Sequence, residues 1–154
     1  FYNDTGGPLP APLGWLRDDN WLLTPLIENN WFGVTVQNNR VVSVVLPDNN
    51  IRGALTASIA DVQNLEVVDL SGNLIEQLPN LTSLPNIVSL DVSGNKLDFA
   101  SLIANSAISG IDYQNQAELG FPSSDSVTFG TDFKVKIITK GNGNQFQWLR
   151  NGAQ

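Results

Sequence analysis

From residue 41 onward, apolar residues return in a fixed order. Counting from the first of each set, positions 1, 4, 6 and 11 are apolar and position 9 is asparagine. Val41, Val44, Leu46, Asn49 and Ile51 follow this order, as do Leu65, Val68, Leu70, Asn73 and Ile75, and Ile87, Leu90, Val92, Asn95 and Leu97. A fourth set, Ile108, Ile111 and Tyr113, fits the strand part. It then places Gln116 at the asparagine slot and Glu118 at an apolar one. The sets start at 41, 65, 87 and 108, so they recur every 24, 22 and 21 residues. Positions 4 and 6 alternate on a short strand and face one side. The pattern therefore predicts stacked short strands, each followed by a turn. An asparagine amide carries two donors and an acceptor. At position 9 it can satisfy backbone groups left unpaired where the chain leaves the strand. Asn49, Asn73 and Asn95 are expected to stack as a ladder, which Gln116 and Glu118 should break.

This spacing resembles the leucine-rich repeat, LxxLxLxxNxL, whose period is about 20–29 residues. The resemblance implies a right-handed α/β-type solenoid with short parallel strands and irregular convex segments. Gly53, Leu55, Ile59, Val62 and Leu65 read like the connecting loop of plant-receptor and bacterial surface repeats. Leu78, Leu81 and Leu84 fill the second loop, where Pro79 and Pro85 forbid a long helix. Phe99, Leu102 and Ile103 fill the third.

A solenoid exposes apolar core at its ends unless it is capped. Upstream stand Trp15, Trp21 and Trp31, with Trp21 and Trp31 expected to lie mostly buried against the first repeat. Val34–Val36 and Val41–Val45 flank Gln37-Asn38-Asn39-Arg40, which reads as a hairpin. FYNDTGG, GWLRDDNW and PLIENNWFGVTVQNNRVVSVVLPDNNIRG resemble the N-terminal cap and first repeat of a bacterial extracellular leucine-rich repeat family with a YNATGG…WFGVT cap. Tyr113-Gln114-Asn115-Gln116 resembles the terminator of internalin-like solenoids. Residues 1–40 are thus expected to form a Trp-rich cap with a hairpin strand, and residues 41–120 the repeats. In residues 121–154, Phe133, Val135 and Ile137 alternate with Lys134 and Lys136. GNGNQFQWLRNG resembles the start of a bacterial immunoglobulin-like module, with Trp148 at the core position. That segment is expected to be an incomplete all-β domain: either the chain is a fragment, or the missing strands come from another subunit.

Composition narrows the chemistry. Among 154 residues there is no Cys, His or Met. Disulfides, thiolate nucleophiles, histidine bases and Cys/His zinc sites are excluded. Eight Lys and Arg against 15 Asp and Glu give a net charge of −7. An acidic surface argues against nucleic acid and against anionic lipid. No apolar run is long enough to span a membrane. The chain does not begin with Met, so it reads as a processed chain or a fragment, with no signal sequence present.

The candidate surface is the concave face: Ser43, Val45, Glu66, Val67, Asp69, Val88, Ser89, Asp91, Ser109 and Asp112. Position 5 reads Val45, Asp69, Asp91, Asp112, which stacks three carboxylates on strands ~4.8 Å apart. A glycosidase pair needs a cleft and unequal environments, which an open solenoid does not supply; weak calcium binding at Asp69, Asp91 and Asp112 is the alternative use. No cofactor is expected and no catalytic residue is assigned. Asn3-Asp4-Thr5 and Asn80-Leu81-Thr82 match N-glycosylation sequons, and Ser126 sits in a short motif resembling bacterial O-glycosylation acceptors. The reading is a non-catalytic protein- or glycan-recognition module, extracellular or on a bacterial cell surface. The alternative is a structural spacer of a large adhesin or filament, self-assembling through its C-terminal β-segment.

Overall fold

The computed structural model describes residues 1–10, 12–21 and 31–117. The expected immunoglobulin-like segment 121–154, Ser126 and Glu118 lie outside them.

Among the described residues, seven strands form two sheets. β1 (Val34–Gln37) and β2 (Arg40–Val45) are an antiparallel hairpin. Its two-residue loop, Asn38 and Asn39, has both φ positive, at 49° and 58°. That conformation matches the twist of the flanking strands and favours asparagine. β4 (Val67–Asp69), β6 (Ser89–Asp91) and β7 (Ile111–Asp112) then add in parallel, giving the order β1-β2-β4-β6-β7. The register runs Val44↔Val68↔Leu90↔Ile111, so position 4 of every repeat is aligned. On the far side of the coil, β3 (Arg52–Ala54) and β5 (Leu74–Gln77) make a second, parallel pair. The apolar slots do not encode this pair. It forms because the backbone leaving each asparagine turn still needs partners, and the next coil offers them.

The core lies between the sheets. Leu46, Ile51, Leu65, Val68, Leu70, Ile75, Leu90 and Val92 have no exposed surface. Each fully buried aliphatic side chain contributes roughly 1.5–3 kcal/mol. Position 6 fails only in the last coil, where Tyr113 is exposed instead of buried. The convex segments differ from coil to coil. The first is a 3-10 helix, Ala57–Asp61, burying Ile59. The second is irregular, with Leu78, Leu81 and Leu84 buried. The third is α1 (Phe99–Asn105), capped by Asp98, whose carboxylate accepts from Ser101 N and Oγ. Here the sequence expectation is corrected: Ile103 is exposed, Phe99 and Leu102 are half-buried, and Ser101 and Asn105 are the buried residues of α1. Helical spacing of four carries Ser101 and Asn105 to the inner face and turns Ile103 outward.

At the first-coil end, Phe1, Tyr2, Trp15, Trp21 and Trp31 form an aromatic cluster with ring centroids 4.9–6.0 Å apart. Trp15 is the buried member, and its indole N–H donates to Thr5 O. Trp21 and Trp31 keep part of their surface exposed and line a cavity against Val34, Val44 and Ile59. Trp15 holds the inner place because backbone anchors its neighbours. Leu16 N donates to Asn49 O, Arg17 N donates to Asn49 Oδ1, and Asn49 Nδ2 donates to Arg17 O. Residues 16–17 thus stand against the first coil as a preceding coil would.

Candidate functional site

The surface facing away from the core on the five-stranded sheet is built in rows. Parallel register places Ser43, Val67 and Ser89 in one row and Val45, Asp69, Asp91 and Asp112 in the next. Glu66 and Val88 immediately precede β4 and β6, and Ser109 stands just before Gly110 and β7. The structure therefore brings together all ten residues expected on the concave face. Val88 is the most open large apolar residue of this face, 63% exposed, and Val45 is 37% exposed.

The position-5 carboxylates have a shared local role. Asp69 Oδ1 accepts from Ser71 N at 3.0 Å and from Ser71 Oγ at 2.7 Å. Asp91 Oδ1 accepts from Ser93 N and Oγ at the same two distances. Asp112 Oδ1 accepts from Gln114 N at 3.0 Å. Each aspartate thus closes an Asx turn at the end of its strand. Ser71 and Ser93 are the donors that fix the Asp69 and Asp91 carboxylates. Three residues on, the backbone is left-handed in every coil: Asp48, Gly72, Gly94 and Asn115 have φ of 49°, 65°, 63° and 55°. Only glycine, asparagine and aspartate adopt this conformation readily. Among the described residues no three acidic side chains gather closely enough to hold a metal ion.

Behind the face runs the asparagine ladder. Asn73 Oδ1 accepts from Asn49 N and Ile51 N, both at 2.9 Å, while Nδ2 donates to Leu46 O, Leu70 O and Ser71 O. Asn95 Oδ1 accepts from Ile75 N, and Nδ2 donates to Leu70 O, Val92 O and Ser93 O. Gln116 does not break the ladder. Its Oε1 accepts from Leu97 N and its Nε2 donates to Val92 O and Tyr113 O. The extra methylene lets a glutamine amide reach the same groups from a half-buried position.

A second polar ladder on the convex side escaped the sequence reading. Leu78 N donates to Ser101 Oγ and Leu81 N to Asn105 Oδ1, while Asn105 Nδ2 donates to Pro79 O and Ser101 O. Its only trace in the sequence is two polar residues four apart among apolar ones. At the aromatic end, Tyr2 OH donates to Asp18 Oδ2. This bond, with burial and the Asp18 charge adding to it, pushes the Tyr2 pKa up to about 12. An apolar cavity between the aromatic cluster and the first coil is lined by Trp21, Trp31, Val34, Val44, Ile59 and Val62, with Ser58 as its polar member.

Of the sequons, Asn80 and Thr82 are both exposed, and Asn80 Oδ1 accepts from Thr82 N and Oγ1. In the other, Asn3 is exposed while Thr5 is buried with its hydroxyl on Phe1 O.

Comparison with known proteins agrees with the coils. Residues 63–105 match the family described as Leucine Rich repeats (2 copies). Phytosulfokine receptor 1 of Arabidopsis thaliana is 31% identical over 93 residues, 57% of this chain and 9% of that protein. A probable leucine-rich repeat receptor-like protein kinase of the same plant is 36% identical over 55 residues, 35% of this chain and 6% of that protein. The chain spans less than a tenth of either curated relative. Among solved structures, the BIR2 ectodomain of A. thaliana aligns at 29% identity over 56% of this chain and 50% of that one, with a TM-score of 0.46. The BIR3–SERK2 complex of A. thaliana aligns at 29% identity over 62% and 52%, also at 0.46. Residues 63–105 of the chain therefore carry leucine-rich repeats.

Proposed function

We propose that this chain is a non-catalytic extracellular recognition module that binds a protein or glycan through the concave face of its repeat sheet. The observation that carries this reading is the alignment of seven solvent-side positions into two rows on the five-stranded sheet, with Glu66, Val88 and Ser109 just before its strands. A broad curved surface of this kind suits macromolecular ligands better than small ones. The receptor names of the curated relatives support the same reading. Catalysis is disfavoured because Asp69 and Asp91 have identical partners, whereas an acid and its base need unequal environments.

Within the proposal, residues 1–40 cap the solenoid, residues 41–120 are its repeats, and residues 121–154 begin an immunoglobulin-like module. The cap assignment is supported by the aromatic cluster and by the hydrogen bonds of residues 16–17 to Asn49. The bacterial surface assignment rests on the cap motif. No described helix is long and apolar enough to cross a membrane.

The test is a screen of the chain against arrays of displayed proteins and glycans. Ser89→Trp, in the middle of the concave rows, should abolish the hits. Ser83→Trp, exposed on the convex side, should retain them. Hits indifferent to Ser89→Trp overturn the concave-face reading. Concentration-dependent polymers in place of hits favour the spacer alternative.

A further inference from the structure

The second convex segment carries a motif that the concave face does not use. Asn80-Leu81-Thr82 fits the acceptor pattern for an N-linked glycan, with leucine and not proline at the middle position and Ser83 behind it. Asn80 and Thr82 are exposed, whereas Leu81 between them has no exposed surface. The buried leucine fixes the turn from inside. Leu81 N donates to Asn105 Oδ1 at 2.8 Å, and Pro79 O accepts from Asn105 Nδ2 at 3.0 Å. Two backbone bonds and one apolar anchor thus hold the turn against the next coil and leave both side chains of the acceptor pair in solvent.

The two ends of the Asn80 amide differ. Oδ1 accepts from Thr82 N at 2.9 Å and from Thr82 Oγ1 at 2.6 Å, which closes an Asx turn. Among the described residues, Nδ2 has no hydrogen-bond partner. Nδ2 is the atom to which an N-linked glycan is joined, so a sugar placed there breaks no bond of the fold. The bulk it adds lies on the convex side, where a glycan needs only solvent. The other pattern, Asn3-Asp4-Thr5, is built differently. Thr5 is buried, and its hydroxyl donates to Phe1 O at 2.8 Å. Its carbonyl accepts from the Trp15 indole and from Arg52 N. A transferase that reads the threonine hydroxyl finds it open at Thr82 and closed at Thr5.

We propose that Asn80 is an N-glycosylation site that takes an oligosaccharide from a lipid-pyrophosphate donor in a secretory pathway. Nδ2 forms a bond to the anomeric carbon of the donor. The bond from that carbon to the pyrophosphate oxygen breaks, the lipid pyrophosphate leaves, and the amide proton passes to a base of the transferase. The glycan covers convex surface and leaves the concave rows open to a ligand. This rests on the extracellular reading of the chain and not on its bacterial assignment.

The test compares the full chain secreted from a eukaryotic host with the chain made in a bacterial cytoplasm, by intact mass and peptide mapping. The secreted chain should be heavier by a glycan, which peptide:N-glycanase should remove from the peptide containing Asn80. Asn80→Asp keeps the oxygen that Thr82 N and Oγ1 donate to but lacks the amide nitrogen. It should melt with the unglycosylated parent and carry no glycan. Thr82→Ser should retain the glycan and Thr82→Val should lose it, while Asn3→Gln should leave it in place. An unmodified secreted parent, a glycan that survives Asn80→Asp, or one that is lost with Asn3→Gln each overturns the proposal. If the secreted chain is unmodified while its array hits remain sensitive to Ser89→Trp, the glycan site falls and the concave-face reading stands.

Discussion

Asn73 carries more of the coil's backbone than any side chain beside it. Its amide joins two coils through five hydrogen bonds, two accepted from the first coil's turn and three donated to carbonyls. Truncation to alanine strands buried donors and acceptors, each costing about 1–3 kcal/mol. Asn73→Ala should therefore lower stability by at least that much in chemical denaturation. Gln116→Ala, at a half-buried terminal position, should cost less. Equal losses would mean that burial does not grade the ladder. Tyr2 offers a residue-scale test of the aromatic end. Its pKa is raised above that of an unfolded tyrosine, so the bond to Asp18 stabilises the fold fully below pH ~10. That contribution is lost as pH rises through about 12. In a Tyr113→Phe background, phenolate absorbance should place Tyr2 near 12, and Asp18→Asn should bring the midpoint down.

At the scale of elements, the third convex segment shows how polar residues replace apolar ones in a core. Asp98 caps α1, and the side chains of Ser101 and Asn105 satisfy the amides of Leu78 and Leu81 in the preceding coil. Asp98→Ala removes the cap and the partner of the Ser101 hydroxyl. It should cost about 0.5–2 kcal/mol. Asn105→Ala should cost more, because it leaves Leu81 N buried without an acceptor. If the two variants melt together with the parent, the convex ladder is not part of the stability of the coil. The slots Leu65, Val68, Leu70 and Asn73 made the strands and their turns legible beforehand. Nothing comparable announced α1's inner face, because Ser101 and Asn105 have no apolar pattern to betray their burial.

On the scale of the whole molecule, the stack must end somewhere, and the aromatic segment meets its first coil. Arg52 N donates to Thr5 O, and Asn50 Nδ2 donates to Pro12 O and Gly14 O, in addition to the bonds of residues 16–17 with Asn49. Removing residues 1–32 would uncover Leu46 and Ile51 and leave Asn49 without its outer partners. The shortened chain should aggregate or lose its cooperative melt. A soluble, cooperatively melting 33–154 chain would show that the first coil needs no cover.

The sequence alone determined the strands of the main sheet, their order and the asparagine turns, because these follow from side-chain periodicity and from one residue type at one slot. It also determined the rows of the concave face, since parallel register copies the repeat spacing directly into space. Tertiary structure alone decided the rest. The β3–β5 pair depends on backbone groups that every residue carries, so no side chain signals it. Trp15 rather than Trp21 or Trp31 became the buried ring because Asn49, more than thirty residues away, fixes residues 16 and 17. Gln116 stayed in the ladder because a longer side chain can reach the same carbonyls. Each of these outcomes turns on what lies across the coil, which periodicity along the chain does not record.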